Sequence, residues 1–353
     1  MSNFFKKIII LLLLSTLSQT VFSAPGGMTA DGKIDVKAIV FGHLGDSYEW
    51  HITSIGKSDI IIPLPIIVYS KYAGWYMCLS SDLHLGKISN GMQIAAEGEY
   101  EGKIIEVASG ERPILDISIT KNVLSLFITC ALLIFIILFV ANWYKNKPQE
   151  APKGLRGILE MMIMDVHDSV VKACIGKDYK RYAPYLLTAF FFIFFSNLMG
   201  LIPIFPGGAN LTGNIAITFV LAGITFLVVN IFSTREYWRE IFWPDVPLWL
   251  KVPVPIMPVI EAFGILTKPF ALMIRLFANI MGGHAAILGL VTLIFIAAQM
   301  GAVMSASFTI VSVAFTVFMF FVELLVAYIQ AYVFTMLSAV FIGLSRVEPH
   351  HKH

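Results

Sequence analysis

Arg275, His284 and Glu323 are the only readily ionisable side chains between Lys268 and Arg346, a stretch otherwise apolar or small and long enough for two membrane helices. A charge at bilayer depth costs at least a few kcal/mol, so an intramembrane ionisable residue points to a task or a partner. The arginine is the most demanding of the three, because it cannot shed its charge by losing a proton. A fixed cation in a low dielectric draws a mobile carboxylate into its deprotonated form and repels passing protons. Histidine and glutamate are the residue types that take up and release protons when their surroundings suit. The set fits a proton path that is interrupted at Arg275. The stretch contains no second acid to act as a mobile partner for Arg275, and a static ion pair between Arg275 and Glu323 is the competing arrangement.

Two polar lines carry these residues. On the last helix Ser305, Thr309, Ser312, Thr316, Glu323, Gln330 and Ser338 follow one another in steps of 4, 3, 4, 7, 7 and 8 residues. Those steps are single and double helical turns, so the line stays on one face. Small hydroxyls are common where membrane helices touch, but packing alone does not ask for Glu323 and Gln330 on the same line, whereas a water-lined path does. The preceding helix has Glu261, Lys268, Arg275 and Asn279 in steps of 7, 7 and 4. His284 follows Arg275 by nine residues, about half a turn out of phase on a straight helix. The two helices are expected at about 256–298 and 303–343. At 1.5 Å per residue each is about 60 Å long, twice the ~30 Å hydrocarbon thickness, so they must tilt strongly, kink or project into water, and a strongly tilted hairpin is the expected arrangement.

The rest of the chain supplies the setting. Its 353 residues are 57% hydrophobic and 14% charged, with mean hydropathy +0.78, values of a polytopic membrane protein rather than a soluble enzyme. There is no Gly-rich phosphate loop and no nucleophile elbow, so no nucleotide or cofactor site is expected. Cys78, Cys130 and Cys174 lie far apart and imply no disulfide framework, and His43, His51 and His84 match no metal-ligand spacing. Lys6 and Lys7, the apolar run Ile8 to Leu14 and the small-residue stretch to Ala24 read as a secretory signal, 1–23, with Ser23 as a candidate cleavage point and an uncleaved first helix as the alternative. Residues 24–118 have ordinary polarity and read as a small β-rich extracytoplasmic extension. The membrane domain, 119–345, begins with an uncharged run from Val123 to Ala141 and continues through an amphipathic stripe of Leu155, Ile158, Leu159, Met162, Val166 and Val170. That stripe fits an interfacial helix or one docked on neighbouring spans. Tyr182 to Thr234 contains no Asp, Glu, Lys, Arg or His, and Pro206-Gly207-Gly208 divides it into spans at about 184–205 and 213–233. Together with the final pair this makes an all-α membrane domain of about five spans. Segment 143–182 carries eight Lys or Arg, and 235–251 carries Arg235, Arg239 and Lys251 with Trp238, Trp243 and Trp249. By the positive-inside rule these loops face the cytoplasm, as does the tail 346–353.

Arg275-Leu276-Phe277-Ala278-Asn279, preceded by Lys268-Pro269, resembles the signature of subunit a of the F-type ATP synthases. The resemblance extends to Glu261, His284, the Glu323 to Gln330 spacing, Asn197-Leu198-Met199-Gly200-Leu201-Ile202-Pro203 and Asn210-Leu211-Thr212, and covers roughly 122–345. It implies a stator proton channel in a bacterial inner membrane that performs no bond chemistry. Its partners would be a ring of c subunits, the b-subunit stalk, the remaining synthase subunits, membrane lipid and the translocated proton, with no nucleic acid. Arg275 would match the essential arginine that faces the ring carboxylate and blocks leakage, with Asn279 and Gln330 close to it. His284 and Glu323 would serve the half-channel from the outside, in the His-then-acid order of mitochondrial members, and Glu261 the cytoplasmic half-channel. The N-terminal extension departs from the family pattern. From the residues alone, the alternative is a self-contained secondary transporter or channel with an Arg–Glu gate. It would call for repeated halves or a complete substrate site in one chain, and no internal repeat is visible.

Overall fold

A computed structural model of the chain describes residues 45–55, 58–71, 74–95, 98–146, 150, 152–202, 205–242, 256–298 and 302–346. The expected signal 1–23, His43, Lys147, Pro203, Trp243, Trp249, Lys251, the turn at 299–301 and the tail beyond Arg346 lie outside the described residues. So does the side chain of Ser305. The chain divides into two compact units: Met1–Thr129 with Met199–Leu211 and Gly282–Val322, and Cys130–Leu198 with Thr212–Met281 and Glu323–His353.

The first unit contains the β-rich extension. Its strands are β1 (Glu49–Ile55), β2 (Ser58–Pro63), β3 (Pro65–Ser70), β4 (Gly74–Leu79), β5 (Met92–Ile94), β6 (Ile104–Glu106) and β7 (Leu115–Asp116). They form three small sheets, with β1 pairing β2, β5 pairing β6, and β3 between β4 and β7, all antiparallel. Ile66 and Val68 of β3 point inward and join Tyr48, Tyr76, Leu83, Met92 and Ile104 in a small core. The Tyr48 hydroxyl donates to Asp116 at 2.5 Å, and burial with that carboxylate beside it pushes the phenol well above its usual range. His84 meets the Glu49 carboxylate at 2.8 Å, so this histidine is engaged with an acid of its own module. Trp50, 3% exposed, places its ring edge-on to Phe205 at 5.2 Å.

The helices are α1 (Lys121–Asn146), α2 (Leu155–Asp165), α3 (Tyr179–Leu201), α4 (Ile215–Ile231), α5 (Arg235–Phe242), α6 (Ile256–Ala298) and α7 (Ala302–Leu344). Four helical stretches among the described residues are long and apolar enough to cross a membrane, or five if α4 and α5, bent by 98°, count as one. The last two helices follow the boundaries read from the sequence to within a residue or so. Elsewhere two differences appear. First, α3 begins at Tyr179 and runs through Pro184, rather than starting there. Second, α2 opens into a wide helical turn over Val166–Lys172 and passes almost without interruption toward α3. Four of its six stripe residues, Leu159, Met162, Val166 and Val170, are buried in the main core with Phe190, Leu186, Ile193, Leu276 and Phe334, while Leu155 and Ile158 are exposed. The stripe therefore belongs chiefly to a docked helix.

Between membrane helices, close packing and hydrogen bonds take over the role that apolar burial has in water. In the second unit the Arg346 guanidinium binds Asp178 and the Phe232 carbonyl, closing the end of α7 onto the start of α3 and the end of α4. At Gly343 an added methyl would run into the Cys174 carbonyl. Gly343→Ala is therefore expected to destabilise the protein by about 1–3 kcal/mol, the usual cost of overpacking. A lowered thermal midpoint of the purified protein would be the sign, and an unchanged midpoint would show that the contact relaxes freely.

Candidate functional site

The polar line of α7 faces inward. Ser312, Thr316, Glu323, Gln330 and Ser338 are all buried, Glu323 and Gln330 at 3% exposure, and Thr309 is half-buried. A regular polar row on the inward face of an apolar helix is costly unless its members bond to one another, to the backbone or to water. Part of that demand is met by the protein. In the first unit the Ser312 hydroxyl donates to the Leu290 carbonyl of α6. In the second, the Asn279 amide donates to Gln330 Oε1 at 2.7 Å.

The second bond also fixes how α6 and α7 lie together within the second unit. The Lys268 ammonium rests over the Phe341 ring at 5.7 Å. Asn279 is eleven residues on from Lys268, and Gln330 eleven back from Phe341, so the two helices run antiparallel and in step. The same register sets Arg275 level with Phe334. Glu323 lies eleven residues from Phe334, about 16 Å along the axis at 1.5 Å per residue. No extended arginine and glutamate bridge that distance in addition to the spacing between helices. The static Arg275–Glu323 pair that the sequence leaves open does not form.

Arg275 is instead on the exposed face of α6, in company with Phe270, Ala271, Ile274 and Ala278, while Leu272, Met273, Leu276 and Ile280 hold the buried face. Among the described residues no acceptor of this chain bonds to its guanidinium. Asn279, one turn away, shares the exposed face and reaches back to Gln330. Glu261 and Lys268 are half-buried toward the other end of the line. The guanidinium thus presents a permanent charge outward from a helix whose surroundings are otherwise apolar. A charge so placed needs water or an acceptor beyond the described residues.

In the first unit His284 is half-buried on α6. A Cβ added at Gly200 would come within 3.2 Å of its Nε2, so the missing side chain at Gly200 is what lets α3's end approach the imidazole. The adjoining loop is closed by the Gly208 amide donating to the Met199 carbonyl.

Two further sets of polar groups are joined by bonds that the sequence does not reveal. Thr212 donates to Asn197 Oδ1 at 2.6 Å, and the Asn197 amide reaches the Ala327 carbonyl at 3.4 Å on the inward side of α7. Tyr185, Thr225 and Ser338 form a second chain linking α3, α4 and α7. The tyrosine and threonine carry no spacing signal that separates them from ordinary packing hydroxyls.

Removing one side of the Asn279–Gln330 bond leaves a buried acceptor without its donor, which costs about 1–3 kcal/mol, whereas removing both sides costs less. Asn279→Ala is expected to lower the thermal midpoint of the purified protein more than Asn279→Ala combined with Gln330→Leu. Strict additivity of the two substitutions would show that the bond is unimportant.

Residues 123–343 match the family model described as ATP synthase A chain, and residues 39–123 match a domain of unknown function, DUF8433. Among similar proteins, the ATP synthase subunit a of Chlorobium phaeobacteroides is 38% identical over 245 residues, covering 67% of this chain and 67% of the relative. That of Chloroherpeton thalassium is 40% identical, with 67% and 69% covered. That of Myxococcus xanthus is 39% identical, with 67% and 76% covered.

Proposed function

The chain belongs to the ATP synthase A chain family, and from that premise we propose that it is the stator proton-channel subunit of an F-type ATP synthase, offering two offset half-channels to a rotating ring of c subunits. The observation that carries this reading is the outward-facing Arg275, unmatched by any acceptor of its own chain among the described residues. An acid on a neighbouring polypeptide is the natural counter-charge, and a fixed cation keeps that acid deprotonated as it passes. Protons enter by a path served by His284 and Glu323, load the ring carboxylate, and leave near Glu261 after the ring has turned. Arg275 blocks the direct route. Asn279 and Gln330, bonded to one another, hold polar character beside it. The chain translocates protons and makes or breaks no covalent bond of substrate.

The assignment extends to the remaining architecture. Residues 1–23 act as an export signal, 24–118 lie on the extracytoplasmic side of a bacterial inner membrane, 119–345 form the channel domain, and 346–353 end in the cytoplasm. The b-subunit stalk and the other synthase subunits hold the chain against rotation. The positive loops support this orientation. A self-contained transporter gated by Arg275 and Glu323 would need those two residues within reach of one another, and the register of α6 and α7 separates them by about 16 Å.

Purification of the native complex tests the proposal. A small proteolipid of two helices with one mid-membrane acid is expected to co-purify. If the chain instead transports ions alone after reconstitution, with no such protein present, the reading fails.

A further inference from the structure

We propose that the outer face of the β4–β3–β7 sheet is a lipid-docking surface, seated at the boundary between headgroups and acyl chains beside the start of α1. Most small antiparallel sheets bury one face and solvate the other. This one is apolar on both. Ile66, Val68 and Tyr76 point into the module, whereas the opposite face is built from Pro65, Ile67 and Tyr69 of β3, paired with Leu79, Met77 and Trp75 of β4. On the other side Tyr69 pairs with Leu115, and the Ile117 amide donates to the Ile67 carbonyl, so β7 and its continuation add Leu115 and Ile117 to the same face. None of these eight is Asp, Glu, Lys, Arg or His. Trp75 is 62% exposed, Met77 70% and Ile117 54%. The alternation in β7 is reversed relative to a water-facing strand: the polar Asp116 and Ser118 turn inward, where they bind Tyr48 and the Ile67 amide, and the aliphatic residues turn out. An exposed apolar patch of this kind marks an interaction site.

The occupant follows from what the face is attached to. The Ile119 amide donates to the Pro65 carbonyl, the Lys121 amide to the Ser47 carbonyl, and the Asn122 amide to Asp46 Oδ1. The sheet is thus locked to the first turn of α1 with no free linker. Lys121 is four residue steps on from Ile117, a reach of at most about 14 Å at ~3.5 Å per residue. The face is held at the membrane surface, and its apolar character continues in the exposed Phe127 of α1. Trp75 and Tyr69, with rings 5.2 Å apart, are the aromatic types that settle at the level of the headgroups. A second copy or another protein would also cover an apolar sheet, but only the bilayer is bound to be there whenever α1 is inserted.

The inference requires α1 to cross the membrane and is independent of proton movement. The assembled complex is reconstituted in phosphatidylcholine and in its acyl-brominated counterpart, and emission is compared with that of Trp75→Phe to isolate the signal of Trp75. The Trp75 component is expected to lose more than half its intensity in the brominated bilayer and to resist aqueous iodide. Quenching by iodide instead would place the ring in water and overturn the proposal. Quenching by neither agent would show a protein cover, whether from a partner, a second copy or residues 1–44, and would overturn it as well. Should Trp75→Phe fail to assemble, Met77→Trp reads the same face as a gain of bromolipid-quenched emission. Proton pumping measured on the same vesicles keeps failure of this inference distinct from failure of the channel assignment.

Discussion

Arg275→Ala is expected to abolish ATP-driven proton pumping while leaving the complex assembled, and to raise the passive proton leak. An opposite charge at close range lowers a carboxyl pKa by about 1–3 units, which is roughly a tenfold to thousandfold change in the ratio of deprotonated to protonated carboxyl at a given pH. Without the guanidinium, a ring carboxylate brought into the apolar face of α6 keeps its proton, and the ring has no reason to release it on one side rather than the other. In the proposed role, the same charge would repel protons that otherwise slip between the two half-channels. Assembly should tolerate the change, because Arg275 lies on the exposed face of α6 and the buried contacts of that turn belong to Leu272, Met273 and Leu276. Arg275→Lys should not restore normal pumping, since an ammonium loses its proton when desolvated and lacks the planar fork of donors. Coupled pumping close to the normal rate in Arg275→Ala would remove the basis of the assigned role.

How much of this was legible in the sequence depends on which physical signal each feature rests on. The extents of α6 and α7 were readable because little but apolar or small residues separates Lys268 from Arg346, and helical spacing of the polar ones leaves no other regular structure. The inward orientation of Ser312, Thr316, Glu323, Gln330 and Ser338 follows from the same spacing. The outward orientation of Arg275 does not, because a membrane helix presents apolar residues both to lipid and to its neighbours, so hydropathy cannot distinguish the two faces. Whether Arg275 pairs with Glu323 was likewise open until the Asn279–Gln330 bond set the register of the two helices. The start of α3 was misplaced because Pro184 reads as a boundary, although a proline near a helix start loses little. The docking of α2 was one of two readings, since an amphipathic stripe buries equally well in an interface or against a protein core. In the extension the continuous apolar run from Pro65 to Tyr69 fits β3, but the sheet order and its second apolar face depend on pairings across many residues. The module core is made of few side chains, and the pairing of Tyr48 with Asp116 across 68 positions has no local signal.

Glu323→Gln separates proton handling from structure, because the two side chains are nearly equal in size and both accept hydrogen bonds, but the amide cannot take up and release a proton. Glu323 is 3% exposed on the inward face of α7, two turns from Gln330, so it is screened from lipid and lies on a row of groups able to hold water. A positioned proton-transfer group is typically worth roughly 10²–10⁴-fold. Water on the path relays part of that, so proton-driven turnover is expected to fall by about tenfold or more with the yield of assembled complex unchanged. Glu323→Asp, which keeps a carboxyl group on a shorter stem, should recover part of the rate, and a purely packing role would predict the reverse order, since glutamine fills the volume better than aspartate. The decisive measurement is the rate of ATP synthesis per assembled complex under an imposed pH gradient, with Thr316→Val as the control for a change on the same row. If Glu323→Gln fails to assemble where Thr316→Val succeeds, the carboxylate is a structural element of the hairpin. If it assembles and runs at the normal rate, the entry path goes elsewhere, and the polar row on α7 must be explained by packing alone.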